Sequence, residues 1–340
     1  MKMKYAKITF YNLIIFLILI SLIEVVFGYW FKAENFGIYM RKERKINWLT
    51  ETTFFGENHN FYYKRNYWGF RGEEFDPSNV KVIFEGGSTG NQRYTPENLT
   101  IVGLINKKLK SNNYNLNVYN ASTDGKSLNG YINDFEYWFP KIPNLEPKYV
   151  IFYIGINDRY ADRYYLDFKI SETKIDRIKD YIKNNSFVVD KYKIIKNKYF
   201  PKNTLSYDFN DNSLYDKFKY IDFLSAQKLH TVIDNEDLAL IEKFKFKLNK
   251  LNNIIKKNKI KPIFITQVKF DGLKDKKLYL INNELKKFSL KNEYFIIRLD
   301  ELITMGVNDF YDPVHTTPQG SKKISNLIFE ELSNRFNKEW

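Results

Sequence analysis

Hydrophobic positions along the chain fall into two regimes. The first is one almost wholly apolar run, ITFYNLIIFLILISLIEVVF, from Ile8 to Phe27. About 20 such residues suffice for a helix to cross a hydrocarbon core. Lys2, Lys4 and Lys7 precede the run, and Tyr29 and Trp30 follow it, where interfacial aromatics sit. No A-x-A-like cleavage site follows, so the run reads as a retained signal anchor through residues 8–27. Basic residues close to the run favour its N-terminal side, which predicts a cytoplasmic N-terminus and an extracytoplasmic body. Arg41, Lys42, Arg44 and Lys45 farther out blur that count. Glu24, an acid near the end of the run, is expected to snorkel to the interface.

The second regime begins after an aromatic, charged stretch, residues 31–79, that reads as irregular. Its end, NYWGFRGEEFDPSN (66–79), carries the Gly and Pro punctuation of a loop entering a domain. Short apolar runs then alternate with amphipathic stretches. Val80–Phe84, Leu116–Tyr119, Tyr149–Ile154, Pro262–Thr266 and Tyr294–Leu299 read as buried strands. Glu97–Lys110, Leu128–Phe139, Glu236–Lys257 and Lys276–Leu290 read as helices. A last helix runs from Pro318 to about Phe336, with Thr317 as N-cap. This alternation predicts an α/β fold with a parallel sheet covered on both faces. The interval from Arg159 to Asp234 breaks it. That interval is rich in Lys, Tyr and Asn, shows no clear strand, and reads as a largely helical insertion. The expected organisation is an anchor over 1–30, a lead-in over 31–79, and one domain over 80–336 with its insertion at about 159–234.

Ligands of parallel sheets bind at the carboxyl ends of the strands, so the residues just after each apolar run are the candidates for chemistry. The first run leads to Ser88 in GGSTG, and the second to Gly125 in NASTDGKS. The third leads to Gly155, Asn157 and Asp158 in GIND. The fifth is followed by Asp312 and His315 in DFYDPVHTTPQG. A serine hydroxyl needs a base, which His315 offers, and a carboxylate three residues earlier can fix the imidazole tautomer. An oxyanion needs preorganised donors, which the N–H groups of Ser88 and Gly125 and the Asn157 amide can supply. Gly130 competes with Gly125 for that place. A phosphate loop is excluded, because Asn91 and Gln92 follow Gly90 where Lys-Ser/Thr is required. The stretch also matches the G-x-S-x-G nucleophile elbow, but that fold places its serine after several strands and its acid far upstream of its histidine.

Composition narrows the classes. The 340 residues are 44% hydrophobic and 28% charged, which suits a globular body. The net charge of +14 comes from dispersed lysines without the clustered footprint of a nucleic-acid binder. Absence of cysteine excludes disulfides, thiolate metal sites and a Cys nucleophile. Three histidines with no close pair argue against a histidine zinc site; His59 and His230 read as structural or exposed.

The four blocks, together with NYWGFRGEE leading into VKVIFEGGSTG, resemble the SGNH (GDSL-like) hydrolases of the membrane-anchored bacterial type. The resemblance runs from about Asn66 to Asn334, interrupted by the insertion. It implies a flavodoxin-like three-layer sandwich with five parallel strands, no metal and no cofactor, and ester hydrolysis or acyl transfer through an acyl-serine. By the same resemblance Ser88 is the nucleophile, with Asp312 and His315 completing the triad. Ser88, Gly125 and Asn157 form the oxyanion hole. One departure is Gly87, which stands where the family usually has aspartate. Anchor and family analogy point to O-acyl groups of envelope polysaccharide or glycolipid and to a membrane partner in envelope biosynthesis. An O-acyltransferase using the same triad, or a catalytically silent envelope binding protein, remains open. Tyr160, Tyr164, Tyr165 and Phe168 are candidates for a sugar-stacking surface.

Overall fold

Five short strands pair in parallel around the first of them, and everything chemical in the chain hangs on their ends. A computed structural model describes residues 2–28, 30–31, 46–160, 174–199, 205–209 and 219–336. In chain order the strands are β1 (Ile46–Phe54), β2 (Glu57–Arg65), β3 (Val82–Gly86), β4 (Val118–Asn120), β5 (Tyr149–Tyr153), β6 (Leu205–Phe209), β7 (Lys261–Ile265) and β8 (Phe295–Ile297). The helices are α1 (Lys2–Phe27), α2 (Ser88–Asn91), α3 (Ile101–Ser111), α4 (Leu128–Asn133), α5 (Lys174–Asn185), α6 (Phe187–Tyr199), α7 (Phe223–Leu229), α8 (Asn235–Lys257), α9 (Lys276–Lys291), α10 (Leu299–Leu302) and α11 (Pro318–Phe336). They group into two units. One joins residues 1–42 to 169–203; the other joins 43–168 to 204–340.

In the larger unit β4-β3-β5-β7-β8 form one sheet, all neighbours parallel. This second-first-third-fourth-fifth order is flavodoxin-like, with its switch point between β3 and β5. Every residue of β3 and β5 is buried, as a sheet covered on both faces requires. Alternate residues serve opposite faces. Val82, Phe84, Ile151, Ile263 and Ile297 pack with Ile101, Ile105 and Leu109 of α3 and Ile324, Ile328 and Leu332 of α11. On the other face Phe152 stacks on Phe264 (5.4 Å) and meets Tyr131 and Phe135. Thr317 caps α11 as its sequence suggests, its hydroxyl accepting the Gly320 N–H at 3.3 Å.

Three departures from the sequence reading have local causes. Within the lead-in, residues 46–65 are not irregular: β1 and β2 form an antiparallel hairpin. Phe55 (φ 50°) and Gly56 (φ 90°) turn it, both in the left-handed region that two-residue hairpin loops use. The insertion contributes a strand, β6, which pairs in parallel with β1. The helix expected over Leu128–Phe139 ends at Asn133 and widens into a π turn over Asp134–Trp138, where the buried Asp134 carboxylate meets Lys126.

The smaller unit holds α1, α5 and α6. Lys7–Phe27 is the one helical stretch among the described residues long and apolar enough to cross a membrane, with mean hydropathy 2.5. Glu24, expected to reach the interface, has partners within this unit. Its carboxylate accepts the Ser186 hydroxyl at 2.5 Å and the Val188 N–H at 3.0 Å. The other expectations for residues 161–173 lie outside the described residues.

Phe152→Ala removes the aromatic that joins β5 to β7 and α4. It is expected to cost about 3–5 kcal/mol of unfolding free energy, the usual loss for a buried Phe truncation. Urea denaturation in detergent measures it; a loss no larger than that of a surface substitution would contradict the packing described.

Candidate active site

Gly86 and Gly87 let the chain leave β3 and enter α2 in two residues, so Ser88 stands at the first position of that short helix. Gly87 has no room for a side chain: a Cβ there would lie 2.5 Å from Asn157 Nδ2 and 3.0 Å from the Lys126 carbonyl oxygen. The close approach of the strand ends is thus written into the position where the resemblance expects aspartate. An aspartate at 87 would push Asn157 aside.

The loop after β8 and α10 brings His315 to Ser88. His315 Nε2 lies 2.8 Å from Ser88 Oγ, and His315 Nδ1 lies 2.6 Å from Asp312 Oδ2. The other Asp312 oxygen accepts the Val314 N–H at 2.8 Å and the His315 N–H at 2.7 Å, which closes the loop on itself. Burial pushes the Asp312 carboxyl up. The hydrogen bond and charge of the His315 ring, with those two backbone N–H groups, outweigh it and hold the group below its ordinary value. Asp312 therefore stays ionised and orders the imidazole with Nε2 towards the serine. The Tyr311 ring stacks on His315 at 5.7 Å and 9°, and burial drives its phenol well up, so it stays neutral.

The donor side is equally specific. Neither the Ser88 N–H nor the Gly125 N–H meets an acceptor among the described residues. Gly125 sits in a turn at φ 76°, a conformation that favours glycine, whereas Gly130 lies within α4. The Asn157 amide donates to the Lys126 carbonyl at 2.9 Å, which holds its side chain beside Gly87. The structure thus brings together Ser88, Gly125, Asn157, Asp312 and His315. Asp158 caps α4 from across the sheet, accepting the Leu128 N–H at 2.9 Å. His230 ends α7 with Nε2 2.9 Å from the Leu273 carbonyl, and His59 packs on Phe54. Of the proposed stacking residues only Tyr160 is described, and the Arg159 guanidinium covers its ring.

Several residues that hold this geometry escape sequence reading. Lys126 is buried, and its ammonium donates to Glu85 (2.8 Å), the Ala121 carbonyl (2.9 Å) and Asp134. Burial pushes Glu85 well above the usual carboxylate range; Lys126 opposes this and the Asp134 charge adds to it. Gln92 ties the serine turn to the histidine loop, donating to Thr316 (3.1 Å) and Ser321 (2.6 Å). Gln267, just beyond β7, donates to Thr89 (3.0 Å) and accepts the Ile156 N–H (2.6 Å). The rule that located Ser88 and Asn157, a polar residue following an apolar run, also applies to Gln267. Next to the Tyr311 ring that stacks on His315, a half-exposed group gathers Tyr94 against Tyr207 at 4.2 Å, and Arg93 beside Tyr94 in the chain is ion-paired with Asp124. The Tyr94 ring also meets Tyr311 at 6.2 Å.

No family model matches the chain, and no curated protein matches it. Solved structures do. One is a GDSL-like lipase from Bacteroides thetaiotaomicron: 14% identity over 78% of this chain and 92% of that one, TM-score 0.39. Another is a member of the lipolytic G-D-S-L family from Veillonella parvula: 13%, 76% and 99%, TM-score 0.41. A third is a catalytic mutant of an acetylxylan esterase from Geobacillus stearothermophilus: 11%, 74% and 94%, TM-score 0.42. For this chain the fold class rests on its own strand order, an α/β sandwich with five parallel strands. Its chemistry rests on the geometry around Ser88.

Asp312 sets an acid limit on stability. Its folded pKa is lowered, so its contribution is fully present above the unfolded value, near 3.8, and is lost as pH falls through the folded value. The unfolding free-energy gap between the wild type and Asp312→Asn should therefore shrink below about pH 4. Denaturation curves across that range measure it, and a gap that widens on acidification would refute the assignment.

Proposed function

We propose that the protein is a serine esterase of SGNH type, tethered by its N-terminal helix, that works through an acyl-Ser88 intermediate. The observation that carries the reading is the unbroken line Ser88–His315–Asp312 beside two backbone N–H groups without acceptors among the described residues. His315 Nε2 takes the Ser88 proton as Oγ bonds to the ester carbonyl carbon. The carbonyl oxygen becomes an oxyanion, received by the N–H groups of Ser88 and Gly125 and the Asn157 amide. Its collapse breaks the ester C–O bond, and the alcohol leaves with the proton from His315. Water then loses a proton to His315, attacks the acyl carbon and releases the acid and free Ser88. No step calls for a metal or cofactor.

The substrate reading is an O-acyl group on envelope carbohydrate or glycolipid. The Tyr94–Tyr207 pair, whose Tyr94 ring meets the Tyr311 ring stacked on His315, offers ring faces, and the Arg93–Asp124 pair offers donors and acceptors for hydroxyls. The anchor agrees with an envelope location, with the catalytic unit on the extracytoplasmic side. A silent binding protein would not need an aligned triad with its donors left open.

A fluorophosphonate probe should label the full-length protein and not Ser88→Ala, and a membrane-impermeant form should label it on spheroplasts. Absence of Ser88-dependent labelling would overturn the enzyme reading, and protection on spheroplasts would overturn the orientation. Separately, Gly87→Ala crowds Asn157 and should lower kcat for acetate release from an acetylated glycan about 100-fold or more, as loss of one oxyanion donor does. KM should change little; unchanged kcat would remove Asn157 from the proposed hole.

A further inference from the structure

Glu24 is an acid inside an apolar run, a place where a carboxylate needs partners. It has four donors. Oε1 accepts the Ser186 hydroxyl (2.5 Å) and the Val188 N–H (3.0 Å), and Oε2 accepts the Phe187 N–H (3.1 Å) and the Trp30 indole N–H (2.8 Å). Ser186 Oγ in turn accepts the Val189 N–H at 3.1 Å. A side chain of α1 therefore caps the N-terminus of α6 and satisfies backbone donors that a helix end leaves open. Aromatic contacts strengthen the joint, with Phe27 on Phe187 at 5.4 Å and Trp30 on Tyr181 at 5.7 Å. The pair α5–α6 is thus fixed to the last turn of the apolar helix. If that helix spans a bilayer, its last turn lies at the membrane surface.

The outer face of α5 is what such a position requires. Ile175, Ile178 and Ile182 follow the i, i+3, i+7 spacing of one helix face, with Tyr181 beside them. They are 65%, 59%, 46% and, for Tyr181, 51% exposed. Lys174 and Lys179 on the same helix are exposed, as are Lys191 and Lys196 on α6. Residues 174–199 hold eight basic and three acidic side chains. A contiguous apolar stripe left open to water marks an interaction surface, and a stripe flanked by lysines fits lipid with anionic headgroups.

We propose that α5 is an interfacial helix. It lies in the plane of the bilayer with Ile175, Ile178 and Ile182 in the boundary between headgroups and acyl chains. Its lysines face anionic headgroups, and Glu24 locks it to the span through α6. The inference rests on the retained-anchor part of the functional reading and is independent of the catalytic part. It makes the N-terminal helix a built-in element of a membrane-binding unit, since removal of that helix would leave the start of α6 uncapped.

The chain has no cysteine, so single substitutions give unique labelling sites. Ile178→Cys, Ile182→Cys, Lys179→Cys and Leu17→Cys, each carrying an environment-sensitive fluorophore, are reconstituted as full-length protein into phosphatidylcholine–phosphatidylglycerol vesicles. The expected result is quenching of the labels at 178 and 182 by brominated lipid, with protection from aqueous iodide. The label at 179 should show the reverse, and the label at 17 should respond only to bromines deep in the acyl chains. Iodide access at 178 and 182 equal to that at 179, with 17 still in lipid, would overturn the interfacial helix and leave the anchor standing. Iodide access at 17 as well would overturn the anchor reading and the inference with it.

Discussion

Parallel pairing of β3 with both β4 and β5 is the constraint on which the rest of the larger unit depends. It makes β3 an interior strand buried on both faces, and it sends all the neighbouring chains out at one edge of the sheet. Backbone and side chains leaving that edge have no further ladder to join, so they must satisfy one another. The serine turn, the Gly125 turn, the Asn157 turn and the histidine loop meet because the sheet ends there. Gly87 is the tightest point of that meeting, where a missing side chain admits the Asn157 amide.

The meeting is held by long polar side chains reaching between strand ends. Gln92 spans from the serine turn to Thr316 and Ser321; Gln267 spans from β7 to Thr89 and the turn holding Ile156. Lys126 anchors the Gly125 turn by placing its ammonium among Glu85, Asp134 and a carbonyl in the core. Such a buried ionic cluster is a poor source of net stability, because desolvation offsets most of the Coulomb gain. Its effect is positional: the carbonyl of that same lysine receives the Asn157 amide. In the smaller unit Glu24 plays a comparable part, with a carboxylate fixing one helix to the start of another.

Much of this was legible in the chain. The five core strands were readable because a strand buried on both faces is an apolar run, and each lies within a few residues of its run. Ser88, Asn157, Asp312 and His315 were readable because polar residues just past such runs stand out. The β1–β2 hairpin was hidden by its composition: β2 buries its side chains only towards its end, and aromatic and charged residues fill the rest. A leaner signal was present in Phe55-Gly56, but only Gly56 is a turn-forming type. β6 could not be read at all, since five residues gain strand character from pairing with β1, far upstream.

The sequence by itself determined the five strands of the parallel sheet and the main helices between them, the membrane-length helix, and the identities and order of the reactive groups. Those follow from periodicity and side-chain chemistry, which are local. Tertiary structure alone decided that Nε2 of His315 faces Ser88 and that Gly125 rather than Gly130 occupies the strand-end turn. It also gave Glu24 its partners at the start of α6, and made Lys126, Gln92 and Gln267 structural supports. Apart from the Gly125 turn, each of these depends on partners at least five residues away in the chain. Hydrogen bonds of that kind leave no period in a sequence, because the chain between the partners is free to vary.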